Sequence, residues 1–246
     1  MSIIAVYSIK GGVGKTAAAV NLAYLSAADG NKTLICDLDP QGASTYYFRV
    51  RPKVDKGVTT LIKGRKHIDR SIKGTDYEGL DLLPADFSFR NLDIAFDHKK
   101  RSKQRLEEAL APLTEEYDHI VLDCPPNLTL LSENIFCAAD VILNPIIPTS
   151  LSQLTYQKLL AFFKKEELDA SKILPFFSMV ENRKKLHREI RTQMATESDA
   201  ILASHIPYLS EIEQMGHYRE PVMCYKPRSI GARAWLMLWQ EVKEHL

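Results

Sequence analysis

No apolar run in the sequence approaches the roughly 18 residues needed to cross a bilayer, and no positively charged leader with an apolar core opens it. A cytoplasmic location is therefore the expectation. Cysteine is sparse: Cys36, Cys124, Cys137 and Cys224 stand far apart without metal-ligand spacing and read as buried free thiols in a reducing compartment. Charge of one sign is lacking too. A net charge of +1 gives no global drive toward nucleic acid or acidic lipid, so any such binding must come from a local patch. Repeats, low-complexity tracts and linkers are absent, and residues 1–246 read as a single domain. What remains is an ordinary globular composition, 45% hydrophobic and 26% charged, at a length suited to one α/β domain.

Against that background one stretch stands out, Lys10-Gly11-Gly12-Val13-Gly14-Lys15-Thr16. Ser2 to Ser8 before it reads as a short buried strand, and Ala17 to Ala28 after it as a helix. A strand, a glycine turn and a helix start make a phosphate cradle, because glycines let successive N–H groups converge where the helix dipole favours negative charge. Gly11, Gly12, Val13 and Gly14 form the turn. Lys15 is expected to neutralise the β and γ oxygens of a nucleotide, and the Thr16 hydroxyl to hold Mg²⁺. The general P-loop pattern wants a glycine where this chain has Ile9, so the strict template misses by one position.

Two more strands end in carboxylates. Thr33 to Cys36 runs into Asp37-Leu38-Asp39-Pro40-Gln41-Gly42, and Asp118 to Asp123 runs into Cys124-Pro125-Pro126. Carboxylates at the C-terminal edge of a parallel sheet lie where ligands bind in open α/β folds. Asp37 and Asp39 read as facing the metal and the attacking water, although Asp37 also fits a capping role before a turn. Asp123 reads as a Walker B carboxylate reaching the Mg²⁺ shell. Thr45 to about Lys73 offers no chemistry, only a helical turn near Thr59 to Ile62. Further strands are expected at Leu80 to Leu83, Asp140 to Ile147 and Ile173 to Val180, with helices at Phe89 to Phe96, Leu151 to Lys165 and Ser229 to Val242. A basic run, Lys99, Lys100, Arg101, Lys103 and Arg105, fits either a solvated helix start or a partner surface.

The string KGGVGKT, with its second lysine at position 10, resembles the deviant Walker A motif of the ParA/MinD family of ATPases. DLDPQG resembles that family's switch I, and DCPP its switch II. The resemblance covers essentially the whole chain. It implies an α/β fold, a doubly wound, mainly parallel sheet with helices on both faces, and ATP with Mg²⁺ as ligands. It also implies slow ATP hydrolysis stimulated by a partner protein, and a homodimer formed on ATP binding that positions a plasmid or chromosome locus or a protein assembly. Lys10 would reach the nucleotide of the partner subunit, and Asp39 would orient water. Ala17 replaces the second hydroxyl residue that usually follows the motif, at the cost of one contact to the α-phosphate. Asn182, in the loop after Val180, is a candidate base contact, and Pro207, at the end of the Ile206-Pro207 strand, joins the nucleotide-binding set.

The sequence departs from ParA proteins after Ile206-Pro207. Arginines that contribute to nonspecific DNA binding in many of them are replaced by Tyr208 and Glu211, and a carboxylate facing phosphates repels them. DNA binding is therefore not carried over. Arg219, or a basic helix from Arg183 to Arg191, would have to supply it, and that helix reads first as a solvated face. Trp235, Leu236, Leu238 and Trp239 in the final helix invite comparison with the MinD membrane anchor. The helix ends without basic excess, so packing on the sheet is the reading. Two rivals from other classes are a metabolic or assembly ATPase of the same superfamily and an ATP-binding interaction module without turnover. Cys124 and Cys137 do not match the iron–sulfur arrangement of nitrogenase reductases.

Overall fold

The computed structural model describes residues 1–52, 54, 57–61, 65–97 and 101–246. Its centre is an eight-stranded sheet: β1 (Ser2–Val6), β2 (Thr33–Asp37), β3 (Lys73–Gly74), β4 (Leu80–Leu83), β5 (His119–Asp123), β6 (Val141–Ile146), β7 (Ile173–Val180) and β8 (His205–Pro207). The order across the sheet is β3-β4-β2-β5-β1-β6-β7-β8. Every pairing is parallel except β3 with β4. The expected doubly wound, mainly parallel architecture is what the chain adopts.

Strands buried on both faces need apolar residues of both parities, and β1 supplies them. Ile3 and Ala5 pack into one layer with Leu106, Leu110, Ile135 and Phe163. Ile4 and Val6 pack into the other with Ala19, Leu22, Trp235 and Trp239. The helices divide accordingly. In chain order they are α1 (Lys15–Ala28), α2 (Ala43–Tyr47), α3 (Arg65–Ser71), α4 (Leu92–Asp97), α5 (Arg105–Leu110), α6 (Leu130–Ala138), α7 (Ser150–Lys165), α8 (Lys185–Glu197), α9 (Ser210–Glu213), α10 (Met215–Tyr218), α11 (Val222–Tyr225) and α12 (Ile230–Lys243). α1 and α12 cover the face that carries Ile4, while α5, α6 and α7 cover the opposite one.

Several expectations shift on the structure. The basic helix begins at Lys185, not Arg183, and continues to Glu197. The turn expected near Thr59 to Ile62 is a 3-10 turn over Gly57–Leu61, and Ile62 lies outside the described residues. Lys99 and Lys100 of the basic run also lie outside them. Within the rest of that run, Lys103 pairs with Glu133 at 2.6 Å and Glu166 at 3.0 Å, and Arg105 pairs with Glu108, so these cations are spent internally. Of the cysteines, Cys36 and Cys124 are buried, but Cys137 and Cys224 are only half-buried. Among the described residues no helix is long and apolar enough to cross a membrane. Trp235 and Trp239 are fully buried under the sheet, as packing on the sheet requires.

Glu211 corrects the sequence reading most directly. Its carboxylate does not serve as a free surface charge; Oε1 accepts the Gly231 N–H at 2.6 Å, in the first turn of α12. Ser229 caps the same end by accepting from Ala232 N at 3.0 Å. A carboxylate there satisfies an orphan donor and complements the dipole. Glu211→Ala is therefore expected to destabilise the protein by about 1 kcal/mol, a fall in Tm of about 2–4 °C. Circular dichroism melting checks this, and an unchanged midpoint would show that the cap contributes nothing.

Candidate functional site

The site is built where β1, β2 and β5 end. After β1 the chain turns through the glycines, and α1 starts at Lys15 with Gly14 as its N-cap at φ 93°. A β-carbon at Gly14 would suffer that left-handed conformation and also meet Ser178 Oγ at 3.0 Å. Glycine is thus required twice over at this position. Beside the turn lies a cavity of about 380 Å³. Its lining joins Gly11, Gly12, Gly14, Lys15, Thr16, Ala17 and Asp39 with Met179, Ile206, Pro207, Leu209 and Ile212. The first set brings backbone N–H groups and charge, and the second brings mainly apolar surface.

Next to Lys15 and Thr16 two carboxylates meet. Asp37 ends β2, Asp123 ends β5, and the two are direct partners across the parallel pair. Both are fully buried. Asp37 Oδ2 accepts from Thr45 N at 2.8 Å and Thr45 Oγ1 at 2.7 Å, while Asp123 Oδ2 accepts from Ser44 Oγ at 2.7 Å. Among the described residues the other oxygen of each, Oδ1, has no hydrogen-bond partner. Buried carboxylate oxygens without partners are costly. Burial, and for Asp37 the neighbouring Asp123, push both carboxyls well above the usual carboxylate range; the Thr45 N–H and hydroxyl pull Asp37 back, as the Ser44 and Thr16 hydroxyls pull Asp123. A divalent cation with its water shell fits this donor set: two hard oxygens left over and a threonine hydroxyl alongside. Thr16, Asp37 and Asp123 are the residues able to hold it.

Lys15 is buried beside them, and burial lowers its pKa against the pull of Asp123, Cys124 and Asp39. Its amine donates to the Lys10 carbonyl at 3.4 Å, across the mouth of the turn. Asp39 sits one turn further out, its Oδ1 accepting from Gln41 N at 2.9 Å. Lys10 does not line the cavity. Its amine donates to Ser152 Oγ at 3.1 Å, at the start of α7.

The family of this chain follows from comparison with known proteins. The sequence model of a family described as an AAA domain matches residues 1–176. The sporulation initiation inhibitor protein Soj of Bacillus subtilis is 30% identical over 248 residues, covering 98% of this chain and 97% of that protein. The chain belongs to the ParA/MinD family of P-loop ATPases. The chromosome partitioning protein ParA of Caulobacter vibrioides is 26% identical over 253 residues, 98% of this chain and 94% of its own. In fold, cobyrinic acid a,c-diamide synthase from Mycobacterium smegmatis, solved with ADP and magnesium, superposes with a TM-score of 0.82. It is 23% identical, and the match covers 100% of this chain and 95% of that one.

Set beside the ParA/MinD expectations, the structure brings Lys15, Thr16, Asp39 and Pro207 to the lining of one cavity, with Asp37 and Asp123 paired behind it at the ends of β2 and β5. It leaves Asn182 out. Asn182 Oδ1 accepts from Arg191 at 3.1 Å and lines a separate cleft with Arg188 and Phe177. A bulge is the reason: between Phe177 and Val180 the pairing with β8 slips, and Met179 takes φ 52°, which delivers Ser178 and Met179 to the nucleotide cavity instead. Sequence reasoning also missed Ser44, and Thr45 at the start of a stretch said to carry no chemistry. Two adjacent hydroxyl residues shortly after DLDPQG were the available signal.

Linkage sets a pH dependence. Because both carboxyls titrate higher folded than unfolded, the metal-free native state binds more protons than the unfolded chain, and stability falls as pH rises from about 4 through the raised folded values. Metal-free protein should melt lower at pH 8 than at pH 6, and Asp37→Asn should flatten the trend and raise the pH 8 midpoint by about 3 °C. Calorimetry in chelator at the two pH values checks it.

Proposed function

We propose that this protein hydrolyses ATP slowly, under stimulation by a partner protein, and alternates between a monomer and an ATP-sandwich homodimer that positions a cargo. The observation that carries the reading is the division of labour between the two lysines. Lys15 is buried against its own cavity, whereas Lys10 points away from it, to Ser152. An amine so placed is available to a nucleotide held by a second copy. Leu151 and Leu154, exposed on the same turn of α7, supply apolar area for that copy to cover.

In this reading the turn N–H groups and Lys15 hold the triphosphate, and catalysis is mostly positioning and charge neutralisation. Asp39 orients the attacking water. Magnesium, when bound at Thr16 and the carboxylates, supplies positive charge to the β and γ oxygens. Lys10 from the partner acts on the charge that develops in the transition state. Cargo recognition is carried by no residue of this site; a plasmid or chromosome locus is the proposed class because the relatives named above include a chromosome partitioning protein.

Light scattering with ATP, with ADP and without nucleotide tests the switch. ATP with Mg²⁺ should double the mass of the wild type, and Lys10→Ala should remain monomeric while still binding nucleotide. Its turnover should fall on the order of 10³-fold. A single monomeric mass in all three conditions would remove the dimer switch, and retained nucleotide without phosphate release would favour the interaction-module reading.

DNA is a second proposed ligand. Arg188 bonds to the Asn182 and Arg183 carbonyls, Arg191 to Asn182 and His205, and no hydrogen bond or ion pair among the described residues gives either a carboxylate. Replacing both with Ala should abolish ATP-dependent, salt-sensitive DNA retention and leave dimerisation intact; equal retention would exclude this cleft.

A further inference from the structure

Arg219 ends α10 in the left-handed region, φ 56°. A β-carbon disfavours that conformation, and such an outlier persists only where the surroundings hold it. What holds it is α2. Arg219 Nε donates to the Tyr46 carbonyl at 2.9 Å, and its guanidinium lies 4.3 Å from the centroid of the Tyr46 ring. The Tyr46 hydroxyl in turn donates to the Gly216 carbonyl at 3.3 Å. A second left-handed arginine, Arg49 at φ 59°, closes the clamp from the other side by pairing with Glu220 at 3.0 Å.

The two sides of this clamp both adjoin residues that line the cavity. α2 carries Ser44 and Thr45, the hydroxyls on Asp123 and Asp37, and it follows the turn that presents Asp39. α10 follows directly on the segment whose Leu209 and Ile212 line the same cavity. α10 and α11 are themselves fixed to α1: the fully buried Asn21 accepts from Val222 N at 2.9 Å and donates to Met215 Sδ at 3.3 Å. α2 is a five-residue helix with no side-chain cap at its N-terminus. The Tyr46 carbonyl already accepts from Arg49 N at 3.1 Å, and the Arg219 cation adds a second, charged donor at the end of α2 where the helix dipole favours it.

We propose that Arg219 is a positioning residue for hydrolysis. By capping the C-terminal end of α2, it holds Ser44, Thr45 and Asp39 in register with the segment whose Leu209 and Ile212 line the cavity. This inference rests on the hydrolysis reading above. It goes further by making that segment and the hydroxyls on Asp37 and Asp123 one mechanical unit.

Arg219→Gly tests it, because glycine accepts the left-handed conformation without strain while the contacts to Tyr46 are lost. Expected are a Tm at or above that of the wild type, nucleotide affinity within about twofold, and amide exchange over residues 43–48 faster by about tenfold with α1 unchanged. The single-turnover rate should fall about tenfold, a loss in kcat and not in binding. Unchanged exchange over 43–48 overturns the proposal, as does faster exchange with an unchanged rate. A lowered Tm with affinity and rate falling together assigns Arg219 a merely structural role and overturns it too. Should the wild type release no phosphate, the hydrolysis reading fails separately. The Mg²⁺ dependence of ADP binding then decides: a higher Mg²⁺ requirement in the variant supports the clamp, and an identical one overturns it.

Discussion

Two carboxylates buried side by side, Asp37 and Asp123, are the constraint on which the rest of this structure depends. A parallel sheet puts the ends of β2 and β5 in register, and the sequence places an aspartate at each end. Water cannot solvate them, so the chain must. Thr45 gives Asp37 two hydrogen bonds, Ser44 gives Asp123 one, and Lys15 stands nearby as the compensating charge. Among the described residues one oxygen on each is left without a partner. In the proposed function a cation and phosphates complete this site.

Those bonds explain why α2 exists where it does. Five residues do not form a stable helix alone, and α2 has no side-chain N-cap. It is held by what its side chains grip on one side and by Arg219 on the other. The same segment that contributes Arg219 also lines the cavity, and Glu211 within it caps α12. The carboxylate pair, the cavity lining and the closing helix are thus linked by hydrogen bonds through short elements, none of which has a core of its own.

Much of the fold was readable in advance. β7 occupies Ile173–Val180 as its apolar run implies, and β5 carries its aspartate at the last position. The phosphate turn was readable because glycine spacing and a following lysine have few other physical uses. Asn182 was not placed correctly: a one-residue bulge at Met179 leaves no periodic trace, yet it decides which side chains enter the cavity. Glu211 was misjudged for a related reason. Its carboxylate was read as facing outward, and the donor it meets, Gly231 N, is 20 residues away in the chain.

The amino-acid sequence by itself determined the order of strands and helices, the phosphate-binding turn and the identity of the charged residues beside it. These follow from local periodicity and from backbone conformations that only certain residues adopt. Tertiary structure decided which hydroxyls hold the carboxylates, that Lys10 turns away from the cavity its neighbour Lys15 faces, and that left-handed Arg219 reaches back to Tyr46. Contacts between residues as far apart as Tyr46 and Arg219 depend on how the sheet twists and where each loop returns, and no pattern within a short window of sequence encodes that.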